Sequence, residues 1–160
     1  MNYHRKYVTF FIVGAGILLV DQVTKGLVIG RFSLCETLEV IPGFFDLTYI
    51  RNTGGAFGVL AGEASRFRTG LFFAISCVAM GIIFYLYTRI PPGKPWLDAA
   101  LAMTFGGALG NLIDRLRFGE VVDFLDFHIG TLHWPAFNVA DSAISVGVGI
   151  FCFYFVFKKI

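Results

Sequence analysis

Four long apolar stretches divide the chain, roughly Val8 to Gly30, Thr69 to Thr88, Trp96 to Leu116 and Asn138 to Phe157. Each is about as long as the roughly 20 helical residues that cross a hydrocarbon core of about 30 Å. The five prolines, Pro42, Pro91, Pro92, Pro95 and Pro135, all fall outside these stretches. A proline inside a helix costs about 3 kcal/mol, so their placement supports the same segmentation independently of hydropathy. Between the first two spans, Glu36 to Leu60 is rich in β-branched and aromatic residues and carries turn signals at Pro42-Gly43 and Gly54-Gly55. That pattern predicts two or three short strands. The expected fold is a membrane all-α class: four transmembrane helices with a small extracytoplasmic β-sheet between helices 1 and 2.

Composition agrees. Hydrophobic residues make up 56% of the 160 and charged ones only 15%, against about 25% charged in ordinary soluble domains. The net charge of +2 leaves no electrostatic footprint for nucleic acid. Cys35, Cys77 and Cys152 are odd in number and lack CxxC spacing, which encodes neither a zinc site nor a complete disulfide framework. The first span is read as retained, because Asp21 and Lys25 interrupt it and no small-residue cleavage site follows. The chain shows no internal repeat, unlike the duplicated halves of many transporters, and is read as one domain over residues 1–160.

Basic residues orient the spans. Arg5, Lys6, Arg89, Lys94, Lys158 and Lys159 crowd three short segments, whereas the two long connections carry only Arg31, Arg51, Arg66, Arg68 and Arg117. The positive-inside rule then places both termini in the cytoplasm and both long connections outside. Arg66 and Arg68 oppose this pattern, at the outer end of the second span.

Ionisable residues in a spanning helix cost about 2.5 to 3.5 kcal/mol each and point to function by default. Asp21, Lys25, Asn111, Asp114, Arg115, Asn138 and Asp141 are the polar residues of the spans that matter here. At about 1.5 Å of rise per residue, they all reach the level of the outer leaflet. Each also has a plainer role open to it. Asp21 and Lys25 form an i,i+4 pair in the favoured order, and Asn111, Asp114, Arg115, Asn138 and Asp141 can satisfy one another between helices. Gly106 and Gly110 form a close-packing signature. His128 and His133 lie near Asp123 and Asp126 but lack a ligand spacing typical of a metal site, which favours a loop or interface role. Asp123, in an apolar strip beyond the third span, and Asp141, one turn into the fourth, raise a different possibility. Two carboxylates brought together share one proton, so one can act as base on water while the other polarises a carbonyl. Ser142 and Ser145 lie beside Asp141 but lack an evident base.

Five ordered blocks carry a resemblance: Asp21-Gln22-Val23-Thr24-Lys25; Arg51-Asn52-Thr53-Gly54-Gly55-Ala56-Phe57; Gly106 to Arg115; Val121-Val122-Asp123-Phe124; and Phe137-Asn138-Val139-Ala140-Asp141-Ser142. Together they resemble the bacterial lipoprotein signal peptidases, also called signal peptidase II, over nearly the whole chain. The resemblance implies an intramembrane aspartic endopeptidase that removes the signal peptide of prolipoproteins on the N-terminal side of the S-diacylglyceryl cysteine. It implies a short outer helix or loop between helices 3 and 4. Asp123 and Asp141 would be the catalytic pair, with Asn52, Asn111, Asp114, Arg115 and Asn138 as the surrounding polar shell and Asp21 as a supporting acid. No metal or organic cofactor is implied. The expected partners are diacylglyceryl-modified prolipoproteins and membrane lipid, with no nucleic acid, and the expected state is a monomer. The expected location is the bacterial cytoplasmic (inner) membrane, with the active site at the outer leaflet. A small transporter is the competing class, but acids confined to one leaflet do not make a conduction path. A non-catalytic assembly protein, with the polar layer as helix glue, is the third.

Overall fold

The computed structural model describes residues 3–54 and 66–157. Their elements are α1 (Tyr3–Arg31), β1 (Thr37–Ile41), β2 (Phe45–Asn52), α2 (Arg66–Arg89), α3 (Pro95–Phe118), β3 (Val121–Ile129), β4 (Leu132–His133) and α4 (Val139–Phe157). Among the described residues four helices are long and apolar enough to cross a membrane, α2 over Thr69–Arg89, and the chain is a multi-pass membrane protein. Pro95 opens α3, where a missing N–H costs no helical hydrogen bond. Gly119 closes it, at φ +77° and with its N–H on Arg115 O at 3.0 Å. The Gly54-Gly55 turn and anything strand-like from Gly55 to Leu60 lie outside the described residues, as do Lys158 and Lys159. All three cysteines are free and exposed.

The segment between the third and fourth spans is β-structure rather than a short helix or loop. Val121, Val122, Phe124, Leu125 and Phe127 favour an extended chain, and β3 finds its partner in β2. The sheet is antiparallel with strand order β1-β2-β3-β4. Gly130, at φ +59°, heads the two-residue turn between β3 and β4, a position that favours glycine.

The chain divides into two compact units. The first holds residues 3–21, 75–110 and 139–157. Its core gathers Phe10, Tyr87, Ile90, Leu97, Leu101 and Ala102, with the Phe10 ring 4.2 Å from that of Tyr87 and 5.3 Å from that of Phe105. Lys6 is fully buried there, donating to the carbonyls of Tyr87 at 2.6 Å and Ile90 at 2.5 Å, while the Tyr87 hydroxyl returns a bond to Lys6 O at 2.6 Å. An ammonium at the carbonyl end of α2 satisfies groups the helix leaves open and complements its dipole.

Gly106 lets α1 and α3 meet, because a Cβ built on it would lie 2.5 Å from Gly14 O and 3.0 Å from Gly14 Cα. Those are backbone atoms and cannot rotate away. Gly106→Ala is therefore expected to destabilise the protein by about 1–3 kcal/mol through overpacking. A thermal unfolding midpoint equal to wild type in the same detergent would contradict that.

The second unit holds residues 22–54, 66–74 and 111–138. Rows of its sheet alternate in character. Leu38, Leu47 and Leu125 are register partners, as are Ile41, Phe45 and Phe127, whereas Glu39, Asp46 and Asp126 form a row of three acids. His128 and His133 pair across β3 and β4 with rings stacked at 4.6 Å. His133 Nδ1 lies 2.9 Å from Asp126 Oδ2, and His128 places Nδ1 3.1 Å from Gly130 O and Nε2 3.3 Å from Asp46 Oδ2.

Partial removal from water works against charging His128. The Gly130 carbonyl, the Asp46 carboxylate and the charge of Asp126 outweigh it and raise the pKa above the usual imidazole value. A raised folded-state pKa means the stabilisation is complete below the unfolded value of about 6.5 and is lost as pH rises through the folded value. Amide hydrogen exchange at Ile129 and Trp134, corrected for intrinsic rates, should show the β3–β4 hairpin better protected at mildly acidic than at alkaline pH. That difference should vanish in His128→Asn.

Candidate active site

The second unit assembles most of the polar residues singled out by the sequence around Asp123, which is 2% exposed. Strand β3 carries Asp123 opposite Ile50 of β2, two residues before Asn52 at the end of that strand. Asn52 turns its amide onto the acid, Nδ2 donating to Asp123 Oδ2 at 2.9 Å, while its own Oδ1 accepts the Gly54 N–H at 2.9 Å. That second bond fixes which end of the amide faces the carboxylate. Asn138, fully buried, covers the other oxygen. Its Nδ2 donates to Asp123 Oδ1 at 2.7 Å and has Val122 O at 3.1 Å and Asn111 Oδ1 at 3.3 Å as further acceptors.

The end of α3 supports this arrangement. Asn111, Asp114 and Arg115 stand at i, i+3 and i+4, so they share a helix face. Asp114, 1% exposed, accepts from the Val122 N–H at 3.1 Å and from Gln22 Nε2 at 3.1 Å, and forms an ion pair with Lys25 at 2.8 Å. Lys25 Nζ also donates to Asn111 Oδ1 at 2.9 Å. Arg115 reaches toward the block around Asn52, with Nη2 3.4 Å from Gly54 O and its guanidinium over the Phe72 ring at 5.4 Å. A buried polar cluster tolerates few unsatisfied groups, and here carboxylates meet donors while amide nitrogens meet acceptors.

In the first unit Asp21 is fully buried and accepts the Ala140 N–H on Oδ1 at 2.9 Å. This amide opens α4, where backbone donors lack helical partners and a negative charge suits the helix dipole. Gly110 makes room for the same carboxylate, since a Cβ there would lie 2.5 Å from Asp21 Oδ2. Asp141 is half-buried in the first turn of α4, next in sequence to the Ala140 amide that Asp21 holds.

The sequence offers Asp21 as a partner for Lys25, four residues away on the same helix, and nothing local marks Gln22 beyond its i,i+3 spacing from Lys25. The structure gives Lys25 the Asp114 and Asn111 side chains and gives Gln22 the other oxygen of Asp114. Their i,i+3 spacing on α1 was the available signal. His128 and His133 are strand residues paired with carboxylates, and among the described residues no group of three His, Cys, Asp or Glu is arranged to hold a metal ion.

A profile of the family described as Signal peptidase (SPase) II matches residues 13–157. The chain is 47% identical to the lipoprotein signal peptidase of Desulforapulum autotrophicum, the match covering 98% of this chain and 96% of the relative. It is 51% identical to that of Syntrophus aciditrophicus over 90% of each. A solved structure of a bacterial membrane enzyme superposes with a TM-score of 0.83 at 33% identity, covering 95% of this chain and 92% of the other.

Proposed function

Because the chain belongs to the signal peptidase II family of peptidases, we propose that it removes the signal peptide from prolipoproteins during lipoprotein maturation. Cleavage falls on the N-terminal side of the S-diacylglyceryl cysteine. The whole chain acts as one monomeric aspartic endopeptidase domain in the bacterial inner membrane, with both termini cytoplasmic and the site at the outer leaflet.

Asp123 and Asp141 are the catalytic pair in this reading. One carboxylate, ionised, takes a proton from water as the oxygen attacks the scissile carbonyl. The other, protonated, donates to the carbonyl oxygen as charge develops there. Collapse of the tetrahedral intermediate breaks the C–N bond: the carboxyl that took the water proton passes it to the departing amine of the cysteine, and a hydroxyl of the intermediate returns its proton to the other carboxylate as the new carboxyl group forms. Arg115, Asn52, Asn111, Asp114 and Asn138 hold the constellation, and Asp21 holds the start of α4.

The observation that carries the reading is the 2.7 Å bond from Asn138 to Asp123, because Asn138 stands three residues before Asp141 in the same sequence block. A group that fixes one acid is thus tied by the chain to the other. Purified protein incubated with a diacylglyceryl-cysteine prolipoprotein peptide should release the signal peptide, with mass spectrometry placing the new N-terminus at the modified cysteine. An intact peptide, or a cut elsewhere, would sink the proposal. The orientation has its own test. A cysteine probe in the Thr37 to Ile41 strand should react with an impermeant reagent applied from outside, and one at Lys159 should not. Both probes require a background in which the native cysteines are replaced.

A further inference from the structure

Lys25 takes no part in the proposed chemistry, yet its side chain is 2% exposed and its bonds to Asp114 and Asn111 lie at the root of the hydrogen bonds that end on Asp123. We propose that Lys25 is a positioning residue for Asp123, fixing the orientation of the Asn111 and Asn138 amides and the backbone that carries the acid. This rests on the reading of Asp123 as catalytic.

Two arms leave the ammonium. Along the first, Lys25 Nζ donates to Asn111 Oδ1 at 2.9 Å, and the same oxygen accepts Asn138 Nδ2 at 3.3 Å. A lysine has donors and no acceptor, so it determines that Asn111 presents oxygen at this corner. A turned Asn111 would set nitrogen against the ammonium and against the Asn138 nitrogen, donors facing donors. The Asn138 nitrogen therefore keeps its three acceptors, one of which is Asp123 Oδ1 at 2.7 Å. Along the second arm, Lys25 pairs at 2.8 Å with Asp114 Oδ2, and that oxygen also takes the Val122 N–H at 3.1 Å. Val122 immediately precedes Asp123, so this arm fixes the main chain from which the acid projects. Gln22, one turn before Lys25 on α1, holds the other oxygen of Asp114 at 3.1 Å.

A lysine present only to neutralise Asp114 would need the second arm alone. The first arm gives Lys25 a further effect, on which atom of each amide points at the catalytic group. Positioning errors well under a bond length matter at this step, and a displacement of about 1 Å from a remote substitution can cost roughly 100-fold in rate. The ammonium also offsets the Asp114 charge within the cluster, which otherwise disfavours ionisation of a nearby carboxyl.

The test compares Lys25→Met with wild type on the diacylglyceryl-cysteine prolipoprotein peptide. Rates are divided by the fraction of protein that binds the peptide, so that partial unfolding does not pass for slower chemistry. The expected result is a kcat lower by about 100-fold, a KM changed by no more than roughly threefold, and an acid limb of the pH–rate profile moved to higher pH. A kcat within about threefold of wild type, or a loss carried by KM, overturns the inference. Should Lys25→Met not fold, Asn111→Leu decides, since it leaves the Lys25–Asp114 pair and cuts the amide arm. A drop in kcat of about tenfold or more at unchanged KM supports the inference, and a near-normal kcat removes it. Asp123→Asn is assayed alongside. Cleavage by that variant defeats the underlying catalytic reading, whereas an inactive Asp123→Asn beside a normal Lys25→Met defeats only the role of Lys25.

Discussion

Asp123→Asn and Asp141→Asn will each abolish detectable cleavage of a lipidated prolipoprotein peptide while leaving a folded protein that still binds it. If the two share one proton, as proposed, each carboxyl is indispensable, because an amide neither takes a proton from water nor donates one as an acid. A general base or acid contributes about 10²- to 10⁴-fold, and each substitution removes one of the two. The double variant should be scarcely worse than either single one, since groups acting as a unit are not additive. The wild-type pH–rate profile should be bell-shaped, with apparent pKa values belonging to the pair. Asp114→Asn is the internal comparison, and a supporting acid leaves residual turnover. Substantial cleavage by either dyad variant, with wild-type contamination excluded, would falsify the two-aspartate mechanism and bring Ser142 back into consideration.

The second large effect is expected from Asn138→Asp, an exchange that alters one atom and hardly any volume. The nitrogen it removes faces three oxygens, on Asp123 at 2.7 Å, Val122 at 3.1 Å and Asn111 at 3.3 Å. An oxygen there meets only acceptors, and as a carboxylate it sets a second negative charge against Asp123. The expected loss in kcat at neutral pH is about 100-fold or more, of the size seen when one preorganised donor is removed from an active site. Protonation of the new carboxyl restores a donor, so part of the activity should return as the pH falls. A profile that only declines toward acid, with normal folding, would show that Asn138 does not act through this bond.

The spans were legible because hydropathy over about 20 residues is a strong signal and because proline and glycine mark the ends, as Pro95 and Gly119 do for α3. β1 and β2 were legible too, since Pro42-Gly43 lies between two runs of strand-forming residues that pair with each other. β3 was not, because Asp123, Asp126 and His128 break its apolar run and its partner β2 lies about seventy residues earlier, Asn52 and Asp123 being 71 apart. The site divides in the same way. Its residue types and the spacing of Asn111, Asp114 and Arg115 stand in the sequence, but their partners do not. Nothing local links Lys25 to Asn111, 86 residues on, or Asp21 to the Ala140 amide, 119 residues on. The sequence blocks contain the residues that cluster around Asp123, and only the fold shows their bonds.

The sheet is sewn from two separate connections, β1 and β2 preceding α2, and β3 and β4 following α3. This imposes an order on biosynthesis. As the chain leaves the ribosome, β2 must wait with one edge open until two further helices have been made. Non-local pairing of this kind is slow to form, and an open strand edge is an invitation to wrong partners. Asn52 gains its carboxylate only when β3 arrives, and Asn138 comes later still, beyond β4. On the proposed pairing of Asp123 with Asp141, a nascent chain ending anywhere before α4 is expected to lack peptidase activity, which a truncation ending at Asn138 would check. The chain order thus leaves the β2–β3 pairing, and the bonds of Asn52 and Asn138 to Asp123, to the last third of synthesis.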